Sequence, residues 1–279
     1  MRYARALAPL AALVFLFLLP GCEQGPLHGP PSGRLMIIGG SASRANYEMF
    51  VELAGGPEAK IVVVPTAGGR TQYDGEAIRQ RWVERYGTRN VHVLHTTDRA
   101  VADSDSFARV LYDADAVYFL GGRQWRLVDA YAGTRTEQAF HELLERGGLV
   151  AGSSAGASIQ ASFLARGAEE GNRLMIAPEP EHRAGFGFLR GAAVDQHIDR
   201  RDRWDDLRVI VMEYPELLGI GISEATAIIV EGDLFEVVGR GRVAVHDYHR
   251  SFSYADSTYY LLLEPGDRYD MRRRQVVEP

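Results

Sequence analysis

The segment Gly152-Ser153-Ser154-Ala155-Gly156 has the G-x-S-x-G spacing of a nucleophile elbow, and it follows the apolar run Gly148-Leu149-Val150-Ala151. A serine on a sharp strand-to-helix turn needs small neighbours, because the backbone there is strained and a Cβ beside it would clash. Gly152, Ala155 and Gly156 provide that room. Ala157 onward can open a helix whose positive end favours an oxyanion. The pattern therefore predicts Ser154 as the nucleophile of an acyl transfer. Ser153 is the rival hydroxyl, one residue early, and a small-residue helix start packed on a sheet is the alternative to both.

A hydroxyl needs a base within hydrogen-bond reach, most often histidine. Of the eight histidines, His28 lies in a Gly/Pro-rich stretch, and His92 and His95 fall on a strand and the turn after it. His197 stands out, since Asp195-Gln196-His197 places polar groups directly after the apolar Gly191-Ala192-Ala193-Val194. Gly121-Gly122-Arg123-Gln124 follows another apolar run, Val117–Leu120, and its glycines can present backbone N–H groups to an oxyanion, together with that of Ala155. A plain strand-to-helix turn would read the same. No G-x-G-x-x-G follows the first strand and no P-loop lysine pattern occurs, so a nucleotide cofactor is not expected. No His or Cys cluster shows ligand spacing, and no metal is expected either.

Those residues must be carried by a regular framework. From Arg34 onward short apolar runs alternate with longer amphipathic ones, which predicts an α/β fold, a doubly wound and mostly parallel sheet flanked by helices. Strands are read at Leu35–Ile38, Ile61–Pro65, Val91–Leu94, Ala116–Leu120 and Leu149–Gly152. Helices are read at Ala45–Leu53, Glu76–Tyr86, Ser106–Tyr112 and Thr136–Arg146. Glycines punctuate most strand ends, and ligands in open α/β sheets bind beyond the carboxyl ends of strands, so these turns should line one crevice. Beyond about residue 214 the chain turns to short antiparallel segments, read as an edge extension of one domain spanning 34–279.

The amino terminus reads as a targeting segment. Arg2 and Arg5 precede the apolar run Ala6–Leu19, which is shorter than the roughly 20 residues that span a bilayer as a helix. Leu19-Pro20-Gly21-Cys22 is similar to the lipobox of bacterial lipoproteins. Residues 1–21 are thus expected to be a signal peptide, Cys22 the lipidated residue that anchors the chain to a membrane, and 22–33 a flexible Gly/Pro-rich tether. An ordinary cleaved signal is the alternative. Cys22 is the only cysteine, which excludes an internal disulfide. The net charge of −6 argues against a nucleic-acid partner.

In combination, Leu35–Gly40, Phe119–Gln124, Gly152–Ala157, Gly187–His197 and Leu218–Glu224 resemble, in order, the motifs of the cyanophycinase family of serine peptidases, relatives of the aspartyl dipeptidases on a class-I glutamine-amidotransferase-like sheet. The resemblance runs from about Arg34 to about Asp247. It implies Ser154 as nucleophile, His197 as base, and Gly122 with Ala155 as oxyanion donors. Gln124, Asp195, Gln196, Arg201 and Arg203 would shape the site or hold substrate carboxylates. The family places its third catalytic member, a Glu, in the loop after the elbow helix, where Glu169 and Glu170 both stand; counting back from Asn172-Arg173 favours Glu169. The chain reads Gly-Gly-Arg-Gln where the best-known members have Gly-Gly-Asp-Gln, and Ser223 stands where they carry Asp.

The implied substrate is a β-aspartyl peptide of the β-Asp-Arg, cyanophycin kind, with Glu179, Glu181, Asp202 and Asp205 as candidate partners for a guanidinium. An exopeptidase acting on short aspartyl peptides is the alternative enzyme. A non-catalytic envelope lipoprotein that binds through the same fold is the alternative outside catalysis. The chain could also associate as a homodimer. An exported, cell-envelope location is expected, and Glu rather than Asp after Cys22 leans toward the outer membrane.

Overall fold

A computed structural model describes residues 28–169, 173–250 and 259–278. The chain runs β1 (Arg34–Ile38), α1 (Arg44–Leu53), β2 (Lys60–Val64), α2 (Gly75–Tyr86), β3 (Asn90–Val93), α3 (Arg99–Ala102), α4 (Asp105–Ala108), β4 (Ala116–Phe119), α5 (Trp125–Tyr131), α6 (Arg135–Glu145), β5 (Leu149–Ser153) and α7 (Ala155–Ser158). It continues through β6 (Ala161–Phe163), β7 (Leu189–Gln196), α8 (Arg208–Glu213), β8 (Leu218–Ile222), β9 (Thr226–Glu231), β10 (Leu234–Gly239), β11 (Val243–Asp247), β12 (Leu261–Leu263), β13 (Arg268–Asp270) and β14 (Gln275–Val277).

The five expected parallel strands form in order β1-β5-β4-β2-β3 within a nine-stranded sheet, and β9, β10, β13 and β14 extend it antiparallel beyond β1. Their apolar runs are continuous because both faces are covered. Alternate residues serve opposite layers: Met36, Ile38, Ile61 and Val63 meet Phe50 of α1 and Trp82 of α2, while Leu35, Ile37, Val62 and Val64 face the layer holding Phe140 and Leu143 of α6. The amphipathic face of α6, Thr136, Ala139, Phe140, Leu143 and Leu144, follows the 3.6-residue period. Ser43 caps α1 with Asn46 in a reciprocal capping box.

Two expectations need correction. The late β-segments do not all extend one sheet: β6, β7, β8, β11 and β12 form a second, five-stranded sheet, whose Val194, Ile220 and Val245 join the α6-side core. The later part of the segment read as tether, from His28, is also fixed to the domain. His28, Gly29 and Pro30 are buried, the His28 N–H donates to Asp233 Oδ1 at 2.8 Å, and the Gly29 N–H donates to the Gly232 carbonyl at 3.0 Å. The signal segment and Cys22 lie outside the described residues. Among the described residues, no helix is long and apolar enough to cross a membrane.

Candidate active site

Five strand ends converge: those of β1, β5 and β4 and, beside them, those of β7 and β8 of the second sheet. Ser154 follows β5 with φ 59° and ψ −116°, the conformation a nucleophile elbow demands. Its neighbours are glycine for steric reasons. A Cβ at Gly152 would lie 2.2 Å from the Gly156 carbonyl oxygen, and one at Gly156 would lie 2.2 Å from that of Phe119. The helix after the elbow is shorter than expected, a single turn, because the chain leaves it to build β6. Ser153, the rival hydroxyl, is the buried last residue of β5.

His197 follows β7 and also has positive φ, 58°. Its Nε2 lies 2.9 Å from Ser154 Oγ, so residues 43 apart in the chain meet as the sequence requires. Gly40 makes the space: it has φ +116°, and a Cβ there would fall 2.2 Å from the imidazole Cε1. The His197 N–H donates to the Gly39 carbonyl at 2.6 Å, tying the base to the first turn.

The carboxylate on His197 is Glu224. Its Oε1 lies 2.6 Å from His197 Nδ1, and its side chain is 27% exposed. Burial by itself would lift the Glu224 carboxyl. The hydrogen bond from His197, the facing Ser41 hydroxyl and the charges of His197 and Arg200 outweigh burial and hold it below the ordinary carboxylate range. Glu169 is therefore not the third member. It lies near Asp129 and His182, their ligand atoms within 4.8 Å of one another. His182 Nδ1 is buried with no hydrogen-bond partner among the described residues, so the ring proton belongs on Nε2, which donates to Asp129 Oδ1 at 2.8 Å. A metal on that nitrogen would strand an N–H on buried Nδ1, so the donor set suits a His–Asp hydrogen bond. Glu170 lies outside the described residues.

Glu224 closes the matched segment Leu218–Glu224, but that match assigned it no role. The signal that could have found it is register: β7 and β8 are parallel neighbours with Gln196 beside Ile222, so the residues just past both strands emerge side by side. His197 is the first residue past β7 and Glu224 the second past β8.

The Gly121-Gly122 turn reaches Ser154 through Gly121, where an added Cβ would lie 3.3 Å from Ser154 Cβ. At Gly122, φ +151°, a Cβ would meet the Ala67 carbonyl oxygen at 2.0 Å, so this turn is pressed against the loop after β2. Ala155 opens the helical turn directly after the nucleophile. A cavity of about 270 Å³ lies beyond that contact, lined by Thr66, Arg70, Thr71, Trp125 and Asp129 among others.

The five residues expected to shape the site or hold substrate divide in two. Gln124 and Asp195 are enclosed and stand behind the surface. Gln124 Nε2 donates to the carbonyls of Ala165 and Arg166 at 2.8 and 2.9 Å. Asp195 takes Arg166 Nε on both oxygens at 3.1 Å, with Arg203 Nη1 3.6 Å from Oδ1. Burial pushes the Asp195 carboxyl up, opposed by Arg166 and Arg203, and burial likewise pulls the Arg203 guanidinium down, opposed by Asp195. Gln124 Nε2 and the Asp195 carboxylate are thus both engaged with the chain itself. Gln196 is buried with its Oε1 lacking a partner among the described residues, Arg203 is half-buried, and Arg201 is exposed beside them. Arg166, which sequence reasoning missed, has φ +56° and also pairs with Asp206.

A serine in an elbow, an imidazole on it and a carboxylate on the imidazole define a serine hydrolase site on a doubly wound sheet. Residues 35–238 match peptidase family S51, and the chain belongs to that family; it is a serine peptidase. It is 26% identical over 265 residues to a cyanophycinase of Geminocystis herdmanii, covering 87% of this chain and 95% of the relative. It is 29% identical over 270 residues to a cyanophycinase of Synechococcus elongatus, covering 89% and 82%. Its fold is similar to the crystal structure of a peptidase from an acI-B1 actinobacterium, with TM-score 0.65 and 24% identity, over 88% of this chain and 98% of that one.

Proposed function

We propose that this chain is an exported, lipid-anchored serine peptidase that cleaves aspartyl peptide bonds of the β-Asp-Arg kind through an acyl-enzyme. The observation that carries the chemistry is the pair of contacts at 2.9 and 2.6 Å on the two nitrogens of His197. With Glu224 accepting from Nδ1–H, the lone pair on Nε2 faces Ser154 and takes its proton as Oγ attacks the peptide carbonyl. The oxyanion develops beside the backbone amides assigned to Gly122 and Ala155. The imidazolium then returns its proton to the leaving amine, and water repeats the sequence to release the acid.

The substrate assignment is supported by relatives called cyanophycinases and by the presence of both charges that an aspartyl-arginine peptide needs. Arg201 and half-buried Arg203 would meet carboxylates, and Asp129 in the cavity beyond Gly122 would meet a guanidinium. Export rests on Arg2, Arg5 and the apolar run before Cys22, and anchoring on the lipobox-like Leu19–Cys22.

The test is hydrolysis by the mature enzyme of cyanophycin and, separately, of Asp-Arg dipeptides in α and β linkage. β-Linked substrates should be cleaved and Ser154→Ala should abolish turnover with the fold intact. Cleavage of dipeptides alone would move the assignment to an aspartyl dipeptidase, and undiminished turnover by the Ala variant would end the serine mechanism. Globomycin-sensitive processing and palmitate incorporation lost in Cys22→Ser check the anchor.

A further inference from the structure

One charged side chain at the edge of the site has no part in the mechanism above. Asp199 lies two residues past His197, and its Oδ1 accepts the backbone N–H of Glu224 at 2.9 Å. The register of β7 with β8 ends at Gln196 and Ile222, so the ladder does not hold the Glu224 backbone. Its flanks are held from elsewhere: the Ser223 N–H donates to the Arg242 carbonyl at 3.1 Å and the Ala225 N–H to the Gly40 carbonyl at 2.9 Å. Ala225 itself has φ 54°, so Glu224 sits in a sharp loop whose geometry its own residue type does not dictate. Glu has a long side chain, and a shift of its backbone is carried to the carboxylate that must stay on His197 Nδ1.

We infer that Asp199 is a positioning residue: by accepting the Glu224 N–H it fixes the loop that holds the Glu224 carboxylate against His197. The inference rests on the serine-peptidase reading of the site. It joins the loop of the base to the loop of the acid through one side chain, so the two partners move as a unit. The groups facing Glu224 are His197, Arg200 and the Ser41 hydroxyl, with Asp199 beneath its backbone. Asp199 is also an anion near the imidazole, and the hydrogen bond has to be separated from that charge. Asp199→Asn keeps an oxygen acceptor and removes the charge, whereas Asp199→Ala removes both.

If Glu224 is released, the imidazolium loses part of its stabilisation. Acylation of Ser154 slows. Binding of a small acylating probe is unaffected. The experiment measures, from pH 5 to 9, the rate at which a fluorophosphonate labels the full chain, its Asp199→Ala and Asp199→Asn variants, and Ser154→Ala as the unlabelled control. In parallel, the downfield proton NMR resonance of His197 Nδ1–H, assigned by its absence in His197→Gln, reports the contact to Glu224 without any turnover.

Asp199→Ala should label about tenfold more slowly, with the resonance broadened or moved upfield. Asp199→Asn should stay within about threefold of the parent with the resonance in place. Parent-like labelling and resonance in Asp199→Ala would overturn the inference. So would an Asn variant as impaired as the Ala variant, which would assign the effect to charge. Absence of labelling in the parent chain would count against the peptidase reading, and the resonance alone would then decide the role of Asp199.

Discussion

At the residue scale the site separates two carboxylates that the sequence does not rank by function. Glu224→Gln should lower kcat by about two to four orders of magnitude, because it leaves the imidazole without the acceptor that sets its tautomer and stabilises its charged form. Glu169→Gln should change kcat by no more than about twofold, since Glu169 lies with Asp129 and His182. Steady-state kinetics on one peptide compares the two directly. Since the Glu224 carboxyl is held below its ordinary range, it stays charged through mildly acid conditions and lets go only as the pH falls through that lowered value. Activity loss between pH 7 and about 5, read from the pH profile of kcat, therefore belongs to another group. Gly40→Ala is the companion test of space: its Cβ would collide with the His197 ring at a φ of +116°. It should cost about 1–3 kcal/mol of stability and most of the activity, read by urea unfolding and by probe labelling. Ser154 and His197 were legible because each sits in a local pattern, a small-residue elbow and a polar triplet after an apolar run. Glu224 was not, because its role comes from a neighbour 27 residues away, brought close by strand register.

At the element scale the second sheet delivers the base. β7 carries Asp195, Gln196 and then His197 into the crevice, and the buried Arg166–Asp195 pair pins that end of the strand. Arg166 also accepts Gln124 Nε2 on its carbonyl, so one residue links the turn after β4 to the strand leading to the base. Breaking a buried pair leaves an uncompensated charge, so Arg166→Met should destabilise the fold by about 3–5 kcal/mol. Arg166→Met with Asp195→Leu should recover part of that loss, as the midpoint of urea unfolding would show; a double variant no better than the single would argue against an unpaired charge as the cause. The parallel strands β1 to β5 were read within one or two residues because their apolar runs are continuous and glycine-bounded. The partition of the later strands between two sheets was not, since an apolar segment of five residues says that it is buried and not against what.

At the scale of the whole molecule, the second sheet also buries a titratable group whose neutral form the fold requires. His246 of β11 is 1% exposed, and burial pushes its pKa down to about 4, against the opposing Trp204 carbonyl and Asp206. In the unfolded chain the group takes a proton near pH 6.5, so the folded state loses stability as pH falls from about 6.5 toward 4, by up to about 3 kcal/mol. Unfolding free energies at pH 7 and 4.5 should differ by about 2–3 kcal/mol less in His246→Gln, which keeps a donor for the Trp204 carbonyl, than in the parent. An unchanged difference would place the acid sensitivity elsewhere. By itself the sequence determined the strand-and-turn framework and singled out the serine and histidine that meet in the fold, because periodicity, glycine punctuation and elbow chemistry act over a few residues. Only the tertiary structure decided which carboxylate completes the site, which charged residues stand behind it and which strands share a sheet. Those depend on contacts between segments far apart in the chain, and local composition leaves them degenerate.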